Sequence, residues 1–475
     1  MLFNSLVFIG FITIVFLVYP RLHLRAQNIF LLIASYVFYG YWDWRFTFLL
    51  LTSTVVDFWV GRQLEVTERQ RSRKFLLLIS IAVNLGILGF FKYFNFFIES
   101  TSSLLTAIGL QANIPVLQII LPIGISFYTF KTLTYTIDIY RRQLTPTKDF
   151  ISYALFTSFF PQILAGPIER AANLLPQIAL PRQITRAHVL TGLNLIMLGF
   201  FKKVAIADTL APIVAKVFLD PSAMTCGQLW SGVYAYTFQI YGDFSGYTDI
   251  ARGLACVLGF KSMENFNAPY LSKSVTEFWR KWHISLSTWF LDYLYIPLGG
   301  NRLGKVRTYI NLFITMLLCG LWHGAAWPFV IWGIIHGLYL IGHRIILKGK
   351  KAETSWPHTF SGWLICIVKI FITFHLVALA WVLFRSSTLD GALVYYMGLF
   401  SLQSLSGFSV PVLFAGILII TLDIAQTWIG NQTWIADMQK HAILRYTAAQ
   451  FMLISVLAAT IAHLETVTPF IYFQF

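Results

Sequence analysis

Three histidines stand close together in a strongly apolar part of the chain. His283, His323 and His336 all fall within residues 278–337, inside or beside sequence that is hydrophobic enough for a membrane. Placing a polar side chain inside the hydrocarbon core of a membrane costs free energy, so polar residues found there usually carry a function. Imidazole has a pKa near neutrality, and it can take a proton from an attacking hydroxyl and return it later. The stretch therefore predicts acid–base chemistry, and the rest of the chain is expected to position it.

Each histidine also has a plainer structural interpretation. His323 lies between Trp322 and Gly324, where a small neighbour lets a substrate approach and tryptophan can shape a tunnel wall. A packing histidine bonded to a carbonyl would fit the same position. His283 sits in an amphipathic segment, where an interfacial histidine is ordinary. For His336 a helix-packing role is the favoured interpretation.

The composition identifies a polytopic membrane protein. Of 475 residues, 57% are hydrophobic, 17% aromatic and only 12% charged. The net charge of +15 would suggest nucleic acid in a soluble protein. Here Lys and Arg cluster in short loops between apolar runs, which indicates contact with lipid headgroups and excludes nucleic acid as the expected partner. The four cysteines are scattered, so neither a disulfide framework nor a metal site is predicted.

Apolar runs alternate with polar breaks, and the flanking Lys and Arg assign each run a direction. The predicted spans are residues 3–19, 28–41, 46–60, 75–97, 115–140, 189–206, 229–260, 308–323, 327–343, 360–384, 411–428 and 448–463. They make about twelve spans, with both termini and residues 386–408 outside and every basic loop in the cytoplasm. The first run is expected to be a retained helix, because no basic residue precedes it and no cleavage site follows.

Two further segments are expected not to cross the membrane. Residues 150–168 are interrupted by Pro161, Gly166 and Pro167, which predicts a re-entrant or buried hairpin. In residues 278–297, tryptophans and basic residues alternate with apolar ones, as in a helix lying along the cytoplasmic interface. With no soluble region and no repeat, the chain is predicted to be one membrane domain, 1–475, with a catalytic core at about 115–345.

The run 229–260 carries an unusual polar load. Gln239 and Asp243 are spaced i, i+4, and Asp249 and Arg252 are spaced i, i+3 and could pair. An internal network that fixes helix packing is the favoured interpretation. The sequence Gly-Asp-Phe-Ser-Gly at 242–246 is not a nucleophile elbow, because its serine stands one place late and no strand precedes it. Phosphate-loop, dinucleotide and HExxH motifs do not occur.

Five long motifs together carry a family resemblance. They are FFPQILAGPIERAANLLPQ (159–177), YGDFSGYTDIARG (241–253), FWRKWHISLSTWF…YIPLGGNR (278–302), GLWHGAAWPFVIWGIIHG (320–337) and PFIYFQF (469–475). Together they resemble the membrane-bound O-acyltransferase family and, within it, the alginate O-acetylase branch. The resemblance runs nearly end to end.

The resemblance implies an all-α fold, a ring of about 11–12 tilted transmembrane helices with re-entrant and interfacial helices around a central tunnel. The histidine of the family's WHG motif falls on His323 and that of its FWxxWH motif on His283, so these are the expected catalytic residues. The span directions place His283 on the basic side and His323 toward the other end of the following span. A tunnel joining them is therefore expected to cross the membrane.

The function that the resemblance implies is transfer of an acetyl or other short acyl group from a cytoplasmic thioester to hydroxyls of an extracytoplasmic polysaccharide, such as alginate or another exopolysaccharide. Acetyl-CoA would be the donor substrate rather than a permanently bound cofactor. The expected location is the cell (inner) membrane, and the expected partner is a separate extracytoplasmic esterase-like acetyltransferase. Alternatives are D-alanyl transfer to teichoic acid, a transporter with a histidine proton relay, and a silent scaffold.

Overall fold

A computed structural model of the chain describes residues 1–110, 115–164, 166–347, 356–401, 404, 406–429, 442–462 and 470–471. The elements in these ranges are all helices, and no strand occurs among them. The predicted helical, polytopic class is confirmed. Two compact units divide the chain, Met1–Ile196 with Ile250–Met263 and Met197–Asp249 with Glu264–Phe475. The single domain with a core at about 115–345, and the ring around a tunnel, stay predictions.

The helices of the first unit are mostly short and closely spaced along the chain. They are α1 (Leu6–Val18), α2 (Leu24–Gly40), α3 (Thr47–Val66), α4 (Gln70–Leu88), α5 (Phe94–Ala107), α6 (Ile125–Tyr140), α7 (Phe150–Ser158), α8 (Phe160–Ile163) and α9 (Ala171–Ala179). A π-helical turn, Gly89–Tyr93, joins α4 and α5 into one helix of 38 residues. The helix ends later than predicted, at Ala107, just before Gly109, whose φ of +84° suits the end of a helix.

The remaining helices carry most of the long apolar sequence. They are α10 (Arg186–Phe200), α11 (Thr209–Leu219), α12 (Cys226–Val257), α13 (Val275–Lys281), α14 (Ile284–Phe290), α15 (Lys305–His323), α16 (Trp327–Ile346), α17 (Phe360–Arg385), α18 (Leu389–Leu399), α19 (Val410–Ile429) and α20 (Ala442–Ala462). A π-helical segment, Phe201–Asp208, connects α10 to α11.

Among the described residues, four helices are both long and apolar enough to cross a membrane: Gln70–Ala107, Arg186–Leu219, Trp327–Ile346 and Phe360–Arg385. Three shorter apolar helices are Leu6–Arg21, Val410–Ala425 and Gln450–Thr460. The other predicted spans are helical at least in part, but they are shorter or, like α12, too polar to meet the same criteria. The number of about twelve spans and their directions stay predictions.

The segment predicted to be a buried hairpin is made of two short helices. α7 has 9 residues and α8 has 4, so neither is long enough to cross a bilayer. The break falls at Phe159, because Pro161 has no N–H to donate to the carbonyl four residues earlier. Most side chains of both helices are buried inside the unit. The expectation that this segment does not form one span agrees with these lengths.

The segment predicted to be one interfacial helix is broken at its centre. α13 and α14 have 7 residues each, and His283 between them has a φ of +42°. At 1.5 Å per residue each helix is about 10 Å long, so neither crosses a membrane. The expectation of one continuous helix is wrong, because the left-handed turn at His283 divides the segment. Phe278, Trp282 and Leu286 are buried in the protein, and the position of the segment along the cytoplasmic face stays a prediction.

Labelling of single cysteines tests the predicted topology. A cysteine at Arg71, exposed in a basic segment, is expected to be protected from a membrane-impermeant maleimide in intact cells, whereas a cysteine at Asp390 is expected to react. Background should be low, because Cys226, Cys319 and Cys366 are buried and Cys256 is partly buried. Labelling at Arg71 in intact cells would contradict the predicted directions.

Two glycines let α15 and α16 pack with their backbones almost in contact. A Cβ on Gly320 would lie 2.3 Å from the carbonyl oxygen of Phe329, and one on Gly333 would lie 2.5 Å from that of Met316. Small residues commonly permit such close approach between membrane helices. The contact matters for the site, because α15 ends at His323.

We expect Gly320→Ala to lower stability by about 1–3 kcal/mol, because the added methyl group must push the two backbones apart. Gly342→Ala on α16 is the matched control, since nothing lies within 4 Å of a Cβ at that position. The measurement is the thermal unfolding midpoint of the purified protein in detergent. Equal midpoints for the two variants would show that the close contact does not limit packing.

Candidate active site

His323 is the last residue of α15, and aromatic rings surround its side chain. Its side chain is buried, and the ring centroids of Trp322, Trp332 and Phe384 lie 5.0, 5.2 and 5.1 Å from that of the imidazole. All three contacts are edge-on or close to it, with interplanar angles of 82°, 88° and 69°. The aromatic edges restrict rotation of the imidazole and keep bulk water away from it.

His283 occupies the turn between α13 and α14, in a left-handed backbone conformation that is uncommon for residues other than glycine. Its side chain is fully buried, and the Phe244 ring lies edge-on at 4.7 Å between centroids. Burial disfavours the charged imidazolium and lowers the pKa of His283 to about 3. The imidazole is therefore neutral near pH 7 and can accept a hydrogen bond.

Trp322 brings the two predicted catalytic histidines together. Its ring lies 5.0 Å from the imidazole of His323 and 5.9 Å from that of His283. Two contacts with one indole cannot span a hydrocarbon core about 30 Å thick. The expectation that His283 and His323 lie toward opposite faces of the membrane is therefore wrong. The physical cause is the left-handed turn at His283, which brings its imidazole against Trp322.

His336 is held by a tryptophan side chain. The indole N–H of Trp279 donates a hydrogen bond to Nδ1 of His336 at 3.2 Å, and the imidazole is fully buried. Since Nδ1 accepts, the neutral ring carries its proton on Nε2. Trp332 packs against both His336 and His323, with ring centroids 4.6 and 5.2 Å apart. These contacts favour the packing role predicted for His336.

A buried ion-pair network occupies the polar face of α12. Lys203 Nζ lies 2.5 Å from Asp243 and 2.8 Å from Asp208, and Lys202 Nζ lies 2.8 Å from Asp249. All five residues are at most 8% exposed. The predicted internal network is confirmed, but both lysines were missing from the sequence prediction. Two adjacent lysines inside the apolar run 189–206 were the available signal.

The network adjoins the surroundings of His283. Asp243 also accepts a hydrogen bond from the backbone N–H of Ile471 at 2.8 Å. Phe470 packs on Phe244, with 5.7 Å between ring centroids, and Phe244 in turn contacts His283. The buried charges thus hold the helix face against which the imidazole packs.

A second buried polar cluster lies in the first unit, within the FFPQILAGPIER motif, and sequence reasoning assigned it no role. Lys131 Nζ donates to Gln162 at 3.2 Å, and the Gln162 amide donates to Ser262 at 2.7 Å. Glu169 accepts from the backbone N–H of Met263 at 2.6 Å, and burial raises the pKa of Glu169. The cluster joins α6 to the loops at 166–170 and 258–263.

A cavity of about 370 Å³ opens beside the FWRKWH motif, between α13, α14, α15 and α16. Trp279 and Cys319 line it together with the two arginines Arg280 and Arg344. Its volume lies within the range of small-molecule sites, about 300–1,000 Å³. Arginine is the side chain best suited to binding phosphate groups. The cavity therefore has the size and charge for an anionic ligand.

Known proteins are similar to this chain over the region that contains these residues. The sequence model of the MBOAT, membrane-bound O-acyltransferase, family matches residues 126–387. The probable alginate O-acetylase of Pseudomonas aeruginosa is 44% identical over 403 residues, which cover 84% of this chain and 75% of that protein. The peptidoglycan O-acetyltransferase of Helicobacter pylori is 35% identical over 86% of this chain and 81% of that protein. The teichoic acid D-alanyltransferase of Bacillus subtilis is 30% identical over 58% of this chain and 71% of that protein.

The chain belongs to the membrane-bound O-acyltransferase family. It is a multi-pass membrane enzyme that transfers acyl groups to oxygen, and its resemblance to the alginate O-acetylase branch is confirmed. The transporter and scaffold alternatives are not supported. The catalytic roles of His323 and His283 stay predictions.

Proposed function

We propose that the enzyme transfers an acetyl group from acetyl-CoA on the cytoplasmic side of the cell inner membrane to hydroxyls of an extracytoplasmic polysaccharide. The names of the relatives from Pseudomonas aeruginosa and Helicobacter pylori both specify O-acetyl transfer, and each match covers more than four fifths of this chain. The D-alanyltransferase match covers 58%, which favours acetyl over D-alanyl as the group transferred.

The observation that carries the proposal is the contact of two buried histidines with one indole ring. In the proposed reaction, Nε2 or Nδ1 of His323 accepts the proton of the acceptor hydroxyl as its oxygen attacks the thioester carbonyl carbon. The carbon–sulfur bond then breaks, and the departing thiolate takes the proton from His323. His283, neutral near pH 7, orients the donor by hydrogen bonding.

The aromatic surroundings of His323 suit a reactive thioester. Trp322, Trp332 and Phe384 enclose the imidazole with apolar surface. Excluding water in this way favours attack by a bound hydroxyl over hydrolysis of the donor. In a water-filled site, the same histidine would activate water and hydrolyse acetyl-CoA.

The cavity beside α13 is the proposed donor site. Arg280 and Arg344 would bind the phosphates of acetyl-CoA, and Trp279 and Cys319 would line the path of its pantetheine arm. No residue of the described lining is acidic, which suits a polyanionic donor. The acceptor on the outer face would be the polysaccharide itself or a separate extracytoplasmic esterase-like transferase that passes the acetyl group on.

We expect Arg280→Gln and Arg344→Gln each to raise KM for acetyl-CoA by about tenfold with little change in kcat, because a charge-assisted hydrogen bond contributes roughly 1.5–3 kcal/mol. Arg302→Gln is the matched control, since Arg302 is exposed in the same basic part of the chain and outside the cavity. The assay measures thiol release from acetyl-CoA by the purified enzyme in nanodiscs with polysaccharide present.

A parallel assay supplies a D-alanyl thioester in place of acetyl-CoA. Turnover with acetyl-CoA and none with the D-alanyl donor supports the proposal. The reverse result would assign the enzyme to D-alanyl transfer. Unchanged KM values for acetyl-CoA in both arginine variants would show that this cavity is not the donor site.

A further inference from the structure

A second cavity lies at the start of α13, between α16 and α17, and shares no lining residue with the proposed donor site. It is a groove of about 680 Å³ with aliphatic walls that include Leu338, Ile346, Ile372 and Leu376. Thr276 lines the donor cavity and His343 lines the groove. The Thr276 hydroxyl and His343 Nδ1 are hydrogen-bonded at 2.8 Å, so this pair forms part of the wall between the two cavities. The groove is therefore a separate site, and nothing in the proposed reaction uses it.

Lys369 places a positive charge where the surrounding surface is apolar. It lies within α17, and its side chain is exposed among Ile365, Val368 and Ile372, which are 48–56% exposed. Because α17 is long and apolar enough to cross a membrane, this face of the helix meets hydrocarbon. Among the described residues, no carboxylate forms an ion pair with Lys369. Charges in such positions usually have a functional partner.

A second lysine marks the end of the groove that lies at the membrane interface. Lys273 Nζ lies 4.9 Å from the Trp356 ring, and Trp356 stacks on Trp363 at 5.5 Å. Tryptophans are enriched at the level of lipid headgroups. Lys369 is about 9 Å further along α17 than Trp363, a distance that its flexible stem largely recovers by reaching back toward the interface. Because Lys273 and Lys369 both line the groove, their ammonium groups can approach one anion at headgroup depth.

We propose that this groove binds an anionic phospholipid, with the lipid phosphate held by Lys273 and Lys369 and an acyl chain lying along the aliphatic walls. The two lysines supply the complementary charge, and no acidic side chain is among the described residues that line the groove. A water-soluble anion would leave the apolar walls uncovered, whereas a lipid covers them and neutralises Lys369 at once. The inference rests on the membrane setting and on these contacts, and not on the acyl group transferred.

Native mass spectrometry of the purified enzyme, titrated with phosphatidylglycerol or phosphatidylcholine, tests the proposal. We expect phosphatidylglycerol to bind more tightly, and Lys273→Ala or Lys369→Ala to weaken its binding about fivefold each, from the roughly 1 kcal/mol that a lysine contributes near an anionic headgroup. Lys305→Ala is the matched control, because Lys305 is an exposed basic residue outside the groove. Equal loss in the control would reduce the effect to general surface charge and overturn the proposal.

Filling the groove provides a second test that leaves both charges in place. Gly342 lines the groove, and nothing lies within 4 Å of a Cβ at this position, so Gly342→Leu should fold and block the acyl chain. Gly86→Leu on α4 is the control, since its Cβ also meets open space. Unchanged phosphatidylglycerol affinity in Gly342→Leu would overturn the proposal. So would displacement of the lipid by coenzyme A, because it would assign the groove to the donor.

Discussion

His323→Gln is expected to lower kcat for acetyl transfer by on the order of a hundredfold or more, the range that a general base supplies. Gln keeps most of the volume of the imidazole between Trp322, Trp332 and Phe384, so the fold and the donor affinity should change little. The measurement is turnover per folded molecule, with the folded fraction taken from size-exclusion chromatography and the unfolding midpoint. The pairing of a large kinetic loss with a small stability loss identifies a chemical role.

A packing histidine would give the opposite pattern. Gln would then be tolerated for activity, and His323→Ala would chiefly lower stability by leaving a cavity among the rings. His336→Gln is the control for a buried histidine in the same aromatic cluster, and it should act mainly on expression and stability. His283→Ala should depress transfer mainly through KM, if this residue orients the donor. Near wild-type turnover in well-folded His323→Ala would end the proposed mechanism.

Lys203→Met is expected to lower the stability of the enzyme by about 3–5 kcal/mol, because it leaves two buried carboxylates without their shared counter-charge. Asp243 and Asp208 both lie within 2.8 Å of the Lys203 ammonium, and Lys203 is only 5% exposed. The effect should reach activity as well, since the next residue after Asp243 is Phe244, which packs on His283. The measurement is the thermal unfolding midpoint in detergent.

Lys216→Met is the matched control, because Lys216 is exposed on α11, a short distance further along the chain. It should change stability by less than about 0.5 kcal/mol. Combining Lys203→Met with Asp243→Asn should recover part of the loss, because one of the two buried charges is removed together with its partner. Equal midpoints for Lys203→Met and Lys216→Met would show that the buried network does not hold the fold together.

Composition and local sequence pattern by themselves determine the class of this protein. The apolar runs and basic loops indicate a helical membrane protein, and Pro161 with the glycine and proline after it predicts the broken segment seen as α7 and α8. These features are readable because hydropathy and proline geometry act within a few residues of chain. His323 and His283 were identifiable in the same way, as rare polar groups in apolar sequence that also match family motifs.

Only the tertiary structure decided how the predicted residues meet. The left-handed turn at His283 breaks the expected interfacial helix, and it brings the imidazole to Trp322, next to His323. Lys202 and Lys203, from the π-helical segment before α11, provide charges that pair with Asp249 and Asp243. Such partners come from other helices, and periodicity along one helix carries no information about which faces pack together. Sequence could therefore name the histidines and the polar helix, while their arrangement depended on packing between segments far apart in the chain.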